Sequence, residues 1–174
     1  MPLIFNDQTD KFYWTQKLSN EEVKRDATTC DRILEFNCNN PFAYAVTPDS
    51  IDENGIVVKG STWNITNNGF YYAWPVITIT FNQAQTHISL KNNAIVGNQI
   101  DITQTFTGSD VLVIDSWLMT IKLNGVHSPA GFGDGGGSIA DFILLMVGLN
   151  ELEITTDDGS INVDVNVTFN KNYL

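Results

Sequence analysis

Apolar and polar residues alternate along most of this chain. In "SINVDVNVTF", Ile161, Val163, Val165, Val167 and Phe169 share one side, and Asn162, Asp164, Asn166 and Thr168 the other. "QIDITQTF" sets Ile100, Ile102 and Phe106 against Asp101, Thr103 and Thr105, and "VITITF" sets Ile77, Ile79 and Phe81 against Thr78 and Thr80. "HISLKN", "MTIKL" and "LEIT" repeat the pattern. A period of two predicts strands that are dry on one face and wet on the other, as in antiparallel sheets. Asn54-Gly55, Asn124-Gly125 and Asp158-Gly159 fall between such runs and supply the positive φ angles of tight turns. Gly108 and Gly148 mark further turns. Only residues 19 to 27 have room for a short helical turn. The expected fold is all-β, an antiparallel β-sandwich or jelly roll.

The first 45 residues read differently. "KFYWTQKL" and "ATTCDRILEFNC" form two long strands joined by a charged connection, with Phe12 and Trp14 on one face and Leu34, Phe36 and Cys38 on another. A lone two-stranded ribbon is marginal in water, so this ribbon needs a bed: the sandwich, a neighbour, or something beyond the chain. "AVTPDSIDENGIVVKG" reads as a linker carrying a turn. The division is therefore residues 1–45, a β-ribbon, and 46–174, a sandwich.

Composition narrows the functions. Of 174 residues, 9 are basic and 20 acidic, a net charge of −11. A groove that tracks phosphates draws its affinity from Lys and Arg, so nucleic acid is not an expected partner. Lys24-Arg25 follows Glu21-Glu22 and reads as a solvated face. The start lacks a basic, then apolar, leader, and no apolar run reaches the ~18 residues of a membrane span. Cys30 and Cys38, in one extended strand, would lie about 26 Å apart, far beyond the ~7 Å limit for a disulfide, so free thiols are expected.

Chemistry has little to work with. His87 and His127 fall in different elements, and each reads as a surface histidine. No nucleophile elbow G-x-S-x-G occurs. Neither C-x-x-C nor H-x-x-x-H is present to hold zinc. Asp134 and Asp141 lack the alternating ligands of a calcium loop, and the glycines of "GFGDGGGS" lack the Lys-Ser/Thr of a phosphate cradle; that stretch reads as a surface loop. No catalytic, cofactor-binding or metal residue is assigned.

Four stretches, in order, resemble the distal tail (Dit-type) hub proteins of long-tailed phages and prophages of Gram-positive bacteria. "DKFYWTQKL" is similar to the closing strand of that family's N-terminal domain. "ATTCDRILEFNCNNPFAYA" follows its strand and F-x-C-x-x-P-F/Y-A-Y pattern. "NITNNGFYYAWPVITIT" resembles its N-x-G-x-x-x-A-x-P-x-I-x-I element. "DVLVID", "LNG" and "FILLMVGLNELEIT" resemble its D-x-L-x-I-D, N-G and late-glycine segments. The family usually has a proline before that glycine, where Val147 stands here, and the glycine-rich stretch before Asp141 looks inserted.

The resemblance implies a galectin-like C-terminal sandwich and a structural protein of the virion, made in the bacterial host cytoplasm. It implies a hub at the distal end of the tail, linking the tail tube to the tip or baseplate that carries receptor-binding proteins. It further implies a homo-hexameric ring built mainly by an N-terminal domain, of which residues 1–45 correspond to the end, so that this chain alone is a monomer or small oligomer. The alternative is a carbohydrate-binding module for host cell-wall saccharide. Tyr72, Trp74 and Phe132 are the candidate partner or sugar surface. Alternation carried back from Ile77 puts Pro75, Ala73 and Tyr71 on the core side and Trp74, Tyr72 and Phe70 opposite, unless a bulge near the proline reverses this. Left exposed, these aromatics form a platform. Covered by residues 11 to 38 they are ordinary core, which the ribbon's need for an apolar bed favours.

Overall fold

A computed structural model of the chain describes residues 2–21, 33–38, 42–127 and 141–173. The described residues contain sixteen strands and no helix. The strands divide between two compact units, one of Met1–Thr47 with Asn172–Leu174, the other of Pro48–Lys171.

The first unit contains β1 (Pro2–Leu3), β2 (Lys11–Trp14), β3 (Gln16–Glu21), β4 (Ile33–Asn37) and β5 (Ala43–Ala45). β3 and β4 pair antiparallel, but the long strand expected over "KFYWTQKL" is broken at Thr15: β2 pairs with β1 and β5, and only β3 pairs with β4 to form the ribbon. Beside it stands a small sheet in the order β1-β2-β5-β16, whose last member is the tail strand β16 (Asn172–Tyr173). Aromatic stacking holds this sheet. The Phe12 ring lies 5.5 Å from Tyr44 in a stack and 5.5 Å from Trp14 edge-on, and the Lys11 ammonium sits 4.9 Å over the Tyr173 ring. Cys38 is an exposed free thiol. Cys30, Lys24-Arg25 and most of the helical turn expected over 19 to 27 lie outside the described residues, as does the glycine-rich stretch.

The second unit is the sandwich. Its strands are β6 (Asp49–Ile56), β7 (Ser61–Asn67), β8 (Val76–Phe81), β9 (Gln85–Asn92) and β10 (Gln99–Phe106). The chain continues through β11 (Val111–Asp115), β12 (Thr120–Leu123), β13 (Val126–His127), β14 (Gly148–Thr155) and β15 (Val163–Phe169). One sheet runs β10-β9-β14-β7 and the other β13-β12-β11-β8-β15-β6, with every pair antiparallel. The apolar residues picked out by alternation meet between them in one core. Ile77, Ile79 and Phe81 from β8 and Val163, Val165, Val167 and Phe169 from β15 join Ile88, Leu90, Ile100, Ile102, Leu152 and Ile154 from the facing sheet. Phe81 and Phe106 stack across the core at 4.2 Å and 9°. The fold is the expected all-β sandwich.

Three expectations are corrected. Residues 49 to 56 are not linker: they are β6, the edge strand beside β15. Their acidic, weakly apolar composition suits an edge, where charge discourages pairing with other chains. Asn54-Gly55 is not a hairpin turn. Val163 faces Ile56 while Val165 faces Glu53, so the pair forms a bulge with one extra residue on β6. A bulge and a turn ask the same thing of Gly55, a φ of +66°. Asp158-Gly159 closes no hairpin either, because β14 and β15 belong to different sheets. Asn124-Gly125 does close one, with φ of +51° and +79° as a type I′ turn requires.

Candidate partner-binding surface

Strand register sorts the connections of the sandwich to its two ends. The segments 67–75, 93–98, 116–119 and 142–149 gather at one end, because Gly148 faces Asn67 and Asp115 faces Val76. The turns at 54–55, 107–110, 124–125 and 157–160 gather at the other.

Buried asparagines organise the first end. Asn67 closes β7 on the core side, and its carboxamide donates to the Tyr71 carbonyl at 2.9 Å and the Leu145 carbonyl at 3.2 Å. Its oxygen accepts the Gly69 N–H at 3.0 Å. Asn150 accepts the Met146 N–H at 2.8 Å and donates to the Met146 and Gly148 carbonyls at 2.9 and 3.1 Å. Asn92 donates to the Leu144 carbonyl at 2.7 Å and to Asn150 Oδ1 at 3.0 Å. Asn98 accepts the Leu144 N–H at 3.0 Å and donates to the Phe142 carbonyl at 3.0 Å. Segment 142–147 forms no regular strand, so its backbone groups need other partners, and these side chains supply them. Ala73 and Leu145 add a paired bridge at 3.0 and 2.9 Å.

The frame so built carries large apolar side chains outward. Phe70, Tyr71 and Tyr72 are 63%, 46% and 42% exposed, with Val147 and Leu149 exposed on the neighbouring segment. Trp117, Leu118 and Met119 stand out from the loop between β11 and β12. The Ser116 N–H fixes that loop to the Pro75 carbonyl at 3.0 Å, and Asp115 accepts the Leu118 N–H at 2.9 Å.

Two expectations about the aromatics change. Tyr71 is exposed rather than core-facing, because Asn67 pulls its carbonyl inward and alternation does not extend back past Ala73. Phe70 and Tyr72 are exposed rather than ordinary core, since the turn that starts at Asn67 carries them off the sheet. Trp74 is partly buried, and Pro75 and Ala73 are buried as expected. Phe132 lies outside the described residues. Sequence reasoning missed Trp117 and Leu118, which follow a strand and show no alternation of their own. It placed Met119 at the start of the alternating "MTIKL", whereas β12 begins at Thr120 and Met119 stands exposed in the loop with a φ of +52°. It also missed the asparagines, although Asn67, Asn92 and Asn150 occupy apolar-parity positions beside Ile65, Leu90 and Leu152, a detectable signal.

Carboxylates close the turns of the second end. Asp158 accepts the Thr86 hydroxyl at 2.7 Å and its N–H at 2.5 Å. Asp164 accepts the Gly55 N–H at 2.6 Å and the Asn82 carboxamide at 3.1 Å. Asp110 accepts the Thr107 N–H at 2.7 Å and the Asn124 carboxamide at 2.9 Å. These bonds favour the charged form and lower each pKa from the ordinary 3.8: the Thr86 hydroxyl leads for Asp158, the Gly55 N–H for Asp164 and the Thr107 N–H for Asp110.

His87 is not the surface histidine expected. Its side chain is 13% exposed, 3.9 Å from Asp101 and 3.5 Å from Asp157, without hydrogen-bond geometry to either. His127 is exposed on β13. Among the described residues no three His, Cys, Asp or Glu side chains group to hold a metal, and no helix is long and apolar enough to cross a membrane.

The sandwich thus has one end whose turns carboxylates close and another whose segments expose large apolar side chains. Residues 68–173 match the family model of the siphovirus-type tail component, C-terminal domain. The chain belongs to this SPP1 Dit family and is a structural tail protein of the distal tail (Dit) type. Its fold is similar to the crystal structure of the SPP1 Dit protein, described as a paradigm of the hub adsorption apparatus in phages that infect Gram-positive bacteria. That similarity has a TM-score of 0.75 at 16% identity, covering 99% of this chain and 64% of that one. The chain thus spans just under two thirds of the length of that solved relative. No curated protein sequence matches it.

Proposed function

We propose that the chain acts in the distal tail hub, joining the tail tube to the tip or baseplate that carries receptor-binding proteins, and that the apolar end of its sandwich is where a neighbouring tail protein docks. One observation carries this reading: eight large apolar side chains at this end, from Phe70 to Leu149, are exposed on segments held by the buried asparagines and by the Ser116–Pro75 and Asp115–Leu118 bonds. A soluble monomer rarely exposes so large an apolar patch without a partner for it. A surface held rigid in advance loses little conformational freedom on binding. The role needs assembly and no turnover. Residues 1–45 are, in this reading, the end of a ring-forming domain, and the ring of six copies belongs to the longer protein.

The same chemistry favours a protein partner over a wall saccharide. Sugar recognition asks for aromatic faces beside clustered polar groups in one groove, whereas the Leu118, Met119, Val147 and Leu149 side chains exposed at this end are aliphatic or thioether groups suited to an apolar contact. The test is a binding measurement between this chain and each tail protein encoded beside it. Phe70→Ser with Trp117→Ser is expected to weaken one such complex by at least ~10-fold, the range of central aromatic anchors. Unchanged binding, or saturable binding to host wall polysaccharide that the same variant abolishes, would overturn the reading.

A further inference from the structure

Each sheet of the sandwich ends in two edge strands, and a bare edge is a template for another chain unless something guards it. Three of the four carry a guard. β6 bears Asp49, Asp52 and Glu53 and is bent by its bulge. β10 has an irregular register between Thr103 and Phe106, and its Gln99 carbonyl accepts the Asp141 N–H. β13 is only two residues long.

β7 has none of these. It pairs with β14 through seven successive residue pairs, Ser61 with Ile154 to Asn67 with Gly148, without a register shift. Its other side pairs with no strand among the described residues. The strand reads "STWNITN": no charge, no proline, no glycine, and three β-branched residues at 62, 65 and 66. Such a segment suits strand addition in composition as well as geometry.

We infer that β7 pairs antiparallel with β7 of a second copy of this chain, about a two-fold axis at Asn64. The sequence is complementary to itself in that register. Thr62 stands opposite the partner's Thr66 and Asn64 opposite the partner's Asn64, on the polar face. Trp63 stands opposite the partner's Ile65 on the apolar side. Threonine pairs and carboxamide pairs are favourable cross-strand neighbours, and no like charges meet. Two sheets of four strands then become one continuous sheet of eight. The nearest acids on that face, Glu151 and Glu153, sit one strand further in, and the Asn93 carboxamide binds both.

Two consequences separate this contact from other ways of associating. Each copy carries a net charge of −11, so repulsion opposes the dimer at low ionic strength and salt strengthens it by screening. The contact is also isologous, whereas a ring closes through head-to-tail contacts. It therefore joins separate copies or separate rings, and it does not rest on the docking role of the apolar end.

Sedimentation equilibrium of the whole chain over a wide concentration range, at low and high salt, tests this directly. The expected result is a monomer–dimer equilibrium that tightens with salt and is lost in Asn64→Lys, which puts two ammonium groups face to face, with an unchanged circular dichroism spectrum and, at concentrations where both chains are monomeric, an unchanged melting midpoint. A Cys30→Ser, Cys38→Ser background carrying Asn64→Cys is expected to form a disulfide-linked dimer on mild oxidation. Directly opposed residues lie about 4.5–5.5 Å apart at Cα, within disulfide reach. Thr103→Cys, on the far edge strand, is expected not to. A monomer at all concentrations and salts, a dimer indifferent to Asn64→Lys, or equal cross-linking from Thr103→Cys would each overturn the inference.

Discussion

The two ends of the sandwich solve one problem by different chemistry. Where strands stop, backbone groups lose their ladder partners. At one end the half-buried Asp110, Asp158 and Asp164 take up the stray N–H groups of Thr107, Thr86 and Gly55 with carboxylates that stay in reach of water. At the other the buried carboxamides of Asn67, Asn92, Asn98 and Asn150 serve both N–H groups and carbonyls. The difference follows from burial. A carboxylate is cheap to keep charged in water but can only accept bonds. A carboxamide carries no charge into the core and can donate and accept at once. An end built with carboxamides can therefore press irregular backbone against the core and keep its outward side apolar. That is the end at which Phe70, Tyr71, Tyr72, Trp117, Leu118 and Met119 stand exposed.

The largest effect is expected from the buried side of this contrast. Asn150→Ala strips bonds from the Met146 N–H and from the Met146 and Gly148 carbonyls. Leaving such groups buried and unpaired is expected to cost about 3 kcal/mol, read as a lower urea midpoint with unchanged slope. Next comes Gly55→Ala in the β6 bulge, where a φ of +66° strains any side chain; about 1 kcal/mol is expected in the same measurement.

Acid provides a third test, directed at the carboxylate-closed end. The folded pKa values of Asp110, Asp158 and Asp164 lie below the ordinary 3.8. Their contribution is therefore full above that value and is lost as pH falls through the lower folded values. Unfolding midpoints measured from pH 5 downward should fall below about pH 4, and Asp158→Asn with Asp164→Asn should flatten that fall. The smallest stability effect belongs to the apolar loops. Phe70→Ser and Trp117→Ser remove exposed side chains and are expected to shift stability by no more than about 0.5 kcal/mol, while binding to a neighbouring tail protein weakens by at least ~10-fold.

Much of the sandwich was legible because period-two alternation records burial directly: Ile77, Ile79 and Phe81 or Val163, Val165 and Val167 name their own face. The edge strand β6 was not. An edge exposes more of each residue, so Asp49 to Gly55 carry turn-like and acidic residues in place of a clean apolar stripe. β16 was missed because two residues, Asn172 and Tyr173, hold no period at all. At the candidate surface, "NNGFYYAWP" announced an aromatic turn but not its direction. That depends on the Asn67 carboxamide reaching Leu145, 78 residues away, which local spacing does not encode. The Trp117–Met119 loop depends likewise on Ser116 meeting Pro75.

The contrast between the ends is tested most directly by measuring the affinity of this chain for the tail proteins encoded beside it, with one variant at each end. Phe70→Ser with Trp117→Ser is predicted to weaken the complex by at least ~10-fold, and Asp158→Asn with Asp164→Asn to leave it unchanged at neutral pH. A complex that survives the first pair and is lost with the second would contradict the account.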